Sequence, residues 1–136
     1  MNVGSQSRNS GYNPVTMRPK LRWGRVLAGG FGAELSVFAI VFPVRYLFGQ
    51  QAFLASILIA SAMMPFIFAM WVGRRLESRF ALHGALVGVV AALIYITIAW
   101  GQPQPLLYKI SHGFKVAGGL AGGLAASRRR APATPH

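Results

Sequence analysis

YLFGQQAFL, residues 46–54, separates two long apolar runs, residues 26–48 and 52–72. A helix rising about 1.5 Å per residue needs about 20 residues to cross a hydrocarbon core about 30 Å thick, and both runs meet that length. Gly49, Gln50 and Gln51 leave room only for a very short turn. This spacing predicts two spanning helices joined back to back. A short charged connection, GRRLESRF at 73–80, leads to a third run at 81–100. That run ends at GQPQP, 101–105, whose prolines stop a helix.

The fourth segment, 106–126, reads LLYKISHGFKVAGGLAGGLAA. Lys109, His112 and Lys115 interrupt it, and its unbroken apolar part, 116–126, is too short to span alone. An interfacial or re-entrant helix is the alternative there. Charge favours a span, because four crossings place every basic cluster on one side.

Hydrophobic residues make up 54% of the 136-residue chain and charged residues 12%, against about 25% charged in a soluble domain. Lipid offers no partner for an open strand, so the runs must be helical. The expected fold is an all-α integral membrane bundle of four transmembrane helices with short loops. The spans lie at about 26–48, 52–72, 81–100 and 106–126, between polar, basic cytoplasmic tails at 1–25 and 127–136. Because the first 25 residues are polar and the run that follows is long, that run reads as a span, not a signal peptide.

The formal net charge is +12. Arg8, Arg18, Lys20, Arg22 and Arg25 precede the first run, Arg74, Arg75 and Arg79 precede the third, and Arg128, Arg129 and Arg130 follow the last. This is the pattern of the positive-inside rule, with both termini cytoplasmic in a multi-pass protein of the cell membrane. Anionic lipid headgroups are the expected partners of Arg22, Arg25, Arg74, Arg75, Arg128, Arg129 and Arg130; a nucleic acid is not expected. Trp23, Tyr46, Trp71, Trp100 and Tyr108 sit near run ends as interface anchors. There is no cysteine, which excludes disulfides and thiolate chemistry.

Only two acidic residues occur, Glu34 and Glu77. Glu34 lies nine residues beyond Arg25, about 13 Å into the membrane. A charge at that depth costs at least about 2.5–3.5 kcal/mol and calls for a partner. Lys115 lies thirteen residues before Arg128, about 19 Å from the same side, within about one turn of Glu34. Tyr108, His112, Lys115, Gly119 and Gly122 share one helix face at spacings of three and four. The expected site is therefore a buried Glu34–Lys115 pair, with His112 beside it, that fixes helix register. The competing role is a protonatable carboxylate coupled to transport. The histidines lack metal-ligand spacing, and GGFGAE lacks the third glycine of a dinucleotide fingerprint. No cofactor, metal or enzymatic activity is expected.

Small residues let helices approach closely in lipid. GGLAGG pairs Gly118 with Gly122 and Gly119 with Gly123, while Gly84 and Gly88 form a ridge on the third run. These faces serve packing within the bundle, a homo-oligomer or a protein partner.

KVAGGLAGGLAASRRR, 115–130, resembles the close of small uncharacterised bacterial membrane proteins with four predicted spans; the resemblance implies location and topology. GGFGAELSV, 29–37, is similar to the helix-one motif of small multidrug resistance transporters. That likeness implies a proton- and drug-binding role for Glu34. Lys115 and His112 depart from that family, as does the third run, ALHGALVGVVAALIYITIAW. The leading expectation is thus a non-enzymatic structural, assembly or accessory subunit of a membrane complex, with a small proton-coupled transporter using Glu34 as the alternative.

Overall fold

The computed structural model describes residues 21–76 and 79–129. The described chain is all-α, with three mutually packed helices: α1 (Trp23–Gly73), α2 (Phe80–Ile98) and α3 (Leu106–Arg128). The expectation of four transmembrane helices is corrected on two counts. Residues 26–48 and 52–72 fall within one 51-residue element, α1, which turns at the single residue Gly49 and not through a three-residue loop. Furthermore, among the described residues only α1 and α2 are long and apolar enough to cross a membrane. At 23 residues α3 has the length, but Lys109, His112, Lys115 and its glycines dilute its apolarity.

Straight, α1 would extend about 77 Å, more than twice a hydrocarbon core. It is not straight. Gly49, at φ 79 and ψ −169, is its one non-helical residue. Glycine adopts positive φ without the Cβ clash that penalises other residues. A Cβ at Gly49 would meet no neighbouring atom, so the demand there is conformational, not one of space. Beyond Gly49 the helix runs back along itself. Val37 and Val41 pack with Phe53, Ile57 and Ala60 in one core cluster, and Val26 packs with Ala69 and Val72 in another. Pro43 and Pro65 remain inside helical backbone; the reversal belongs to Gly49 alone.

α2 begins after Arg79, which takes the left-handed conformation at φ 55. Gly101, at φ 78, turns the chain towards α3, whose N-cap is Pro105. The cluster around Val26, Val72 and Val87 lies at one end of the bundle, and the cluster around Val41 and Phe53 lies at the Gly49 end.

The first end gathers the basic residues. Arg25 Nη1 donates to the Arg75 carbonyl at 2.7 Å, and the Arg22 N–H donates to His83 Nε2 at 3.4 Å. Ala126 abuts Gly73. Arg22, Arg25, Arg74, Arg75, Arg79, Arg128 and Arg129 therefore share one end; Arg130, Glu77 and the tails at 1–20 and 130–136 lie outside the described residues. The outward faces remain apolar, with Leu27, Phe31 and Leu35 forming an exposed stripe on α1 at intervals of four.

Candidate functional site: a buried ion pair beside an aromatic cavity

The site forms where α3 crosses the first part of α1. Two rows of glycine bring α3 in. A Cβ on Gly119 would strike the Gly84 carbonyl oxygen, and one on Gly88 would strike the Lys115 carbonyl oxygen. One on Gly118 would strike the Ala62 carbonyl oxygen, and one on Gly122 that of Phe66. Gly123 meets the Phe80 carbonyl in the same way. The doubled GGLAGG thus serves two neighbours at once: Gly119 and Gly123 admit the α2 backbone, while Gly118 and Gly122 admit the second part of α1. On α1, Gly29 and Gly30 lie against Val87 and Val90 of α2, and the next turn carries Glu34 inward.

Lys115 Nζ donates to Glu34 Oε2 at 2.6 Å, with the two side chains 2% and 1% exposed. This is the short contact of a charge-assisted hydrogen bond. The ammonium also stands 4.8 Å from the centroid of the Tyr95 ring, within cation–π range. Tyr95 is the hub of an aromatic group: its centroid lies 6.2 Å from Phe38, 5.9 Å from Tyr108 and 5.2 Å from His112. Glu34 Oε1 and both ring nitrogens of His112 have no hydrogen-bond partner among the described residues. Desolvating two ions costs several kcal/mol each, and their attraction repays this only in good geometry. Proximity to Tyr95 and the direct hydrogen bond supply that geometry on one carboxylate oxygen and not the other.

A cavity of about 200 Å³ opens towards the Gly49 end. Phe38, Phe42, Phe53, Tyr95 and Tyr108 give it aromatic walls, and Ser61 and Ser111 add hydroxyls. The Ser111 hydroxyl is committed, donating to the Tyr108 carbonyl at 2.7 Å. Among the described residues, no three His, Cys, Asp or Glu side chains are placed to hold one metal ion.

Of the residues singled out by sequence, Glu34, Lys115 and His112 come together, and the six glycines line the contacts that bring them together. The arginines lie at the far end of the bundle and take no part. Three features escape a sequence reading. The contact of the Tyr95 ring with the Lys115 ammonium is one. The stacking of the Arg45 guanidinium 4.9 Å from the Phe53 centroid is a second. His83 ties two helix starts, receiving the Arg22 N–H on Nε2 and placing Nδ1 2.9 Å from the Arg79 carbonyl; the neutral tautomer protonated on Nδ1 satisfies both. No protein family, curated protein or solved structure matches this chain.

Proposed function

We propose that this chain is a non-enzymatic, multi-pass protein of the cell membrane that acts as a structural or accessory subunit, its helices held in register by the Glu34–Lys115 pair. The observation that carries the reading is the pair itself. The one described carboxylate is paired with an internal lysine at 2.6 Å and is 1% exposed, which supports a role in joining α1 to α3. The membrane setting is supported by two helices of sufficient length and apolarity and by large exposed apolar side chains along all three helices, which water-facing domains avoid. The arginine-rich end is the one facing the cytoplasm in this reading, against anionic headgroups. Exposed apolar surface on all three helices leaves room for a protein partner or a second copy.

A second reading, a proton-coupled transporter, draws on the unpartnered Glu34 Oε1 and the nearby cavity. One experiment separates the two. The chain is purified in mild detergent with its partners identified by mass spectrometry, and in parallel reconstituted into vesicles under a proton gradient. The subunit reading expects a stoichiometric membrane partner and no gradient-driven flux. Proton-driven solute flux by the purified chain, abolished in a folded Glu34→Gln variant, would overturn it.

A further inference from the structure

We infer that the aromatic cavity is a binding site for one alkyl chain of an amphiphile whose anionic head rests on Arg45. The inference goes beyond the subunit role and does not depend on it. Size comes first. Apolar cavities of about 150 Å³ hold a benzene ring, so about 200 Å³ accepts a ring or a short length of one chain, not the two chains of a diacyl lipid side by side. The lining suits hydrocarbon: Val37, Val41 and Ile57 fill the gaps between the aromatic rings.

The mouth is identified by exposure. Phe42 lines the cavity while remaining 64% exposed, so the space reaches the bundle surface there. Arg45 follows three residues later, on the same face of α1, and its guanidinium stacks on Phe53, another wall residue. A chain entering past Phe42 therefore carries its head to that guanidinium.

The sign of the head follows from charge. Glu34, one turn below the cavity floor, is already engaged by Lys115. Arg45 stands on the wall residue Phe53 at this end of the bundle, and the exposed Lys109, next in sequence to the lining residue Tyr108, adds positive charge to the same end of α3. Tyr108 belongs to the first turn of α3, where the helix dipole is positive. No described carboxylate faces this end to offset them. A cationic amphiphile would meet like charge at the mouth; an anionic one meets a guanidinium suited to phosphate or carboxylate oxygens.

The test titrates the purified full chain, held in a neutral maltoside detergent, with dodecyl phosphate or with dodecyltrimethylammonium, and counts bound equivalents by native mass spectrometry. Expected is one equivalent of dodecyl phosphate, bound at least fivefold more tightly than the cationic analogue. Arg45→Gln, at an exposed position that leaves the core intact, weakens it at least fivefold. Ser61→Leu, which fills the cavity, abolishes it, with helicity checked by circular dichroism. Equal binding of the two amphiphiles would overturn the inference, as would several equivalents indifferent to both substitutions.

Discussion

At the scale of single residues, the energetics turn on how a buried charge is satisfied. Lys115 has three N–H donors, of which one reaches Glu34 Oε2, and its charge also stands against the Tyr95 ring. Replacing Tyr95 by leucine removes the ring and costs about 1–2 kcal/mol beyond the loss of packing, whereas phenylalanine keeps the quadrupole and most of the stability. Unfolding in detergent, compared among Tyr95, Leu and Phe forms, checks this; equal losses in both variants would show that the ring is filler. The nearness of Glu34 and Lys115 is legible in the sequence because both helices leave the same basic end and rise at a known rate, so residue counting yields depth. The place of Tyr95 is not legible, because depth alone does not give the rotation of α2 about its axis. That rotation is set by Gly84 and Gly88 against α3, a contact requiring the partner helix.

At the scale of elements, two kinds of glycine do different work. Gly49 holds positive φ with extended ψ in open space, so Gly49→Ala costs about 1–3 kcal/mol through backbone strain alone. Gly119→Leu costs more, because a side chain there drives α3 away from the Gly84 carbonyl and must separate two helices. Cross-linking between α2 and α3 would fall in the second variant and not in the first; loss in both would contradict the distinction. YLFGQQAFL shows in sequence that the chain is interrupted near residue 49. It does not show that the interruption is a single residue between two helical stretches, since Gln50 and Gln51 look like turn residues and are in fact helical. Likewise the length of α3 is legible, while the cost of Lys109, His112 and Lys115 to its apolarity removes it from the helices able to span by composition.

At the scale of the whole molecule, basic clusters far apart in sequence converge on one end because α1 reverses at Gly49 and α2 and α3 follow antiparallel. The charge pattern alone carries that convergence, since like clusters at each return of the chain imply a common side. The chain contains no cysteine, so single-cysteine variants report cleanly on sidedness. Gln102→Cys, in the exposed turn beyond α2, should react with an impermeant maleimide in intact cells, and Ser5→Cys should not; the reverse labelling would invert the orientation. The Glu34–Lys115 pair ties α1 to α3, and a double-mutant cycle on it is the most direct test of the assembly. Unfolding free energies are measured for the parent, Glu34→Gln, Lys115→Met and the double variant. Removing one partner strands the other charge at about 3–5 kcal/mol, while removing both does not. The account predicts that the double variant is at least about 2 kcal/mol more stable than the sum of the single losses would make it. Simple additivity of the two losses would contradict it.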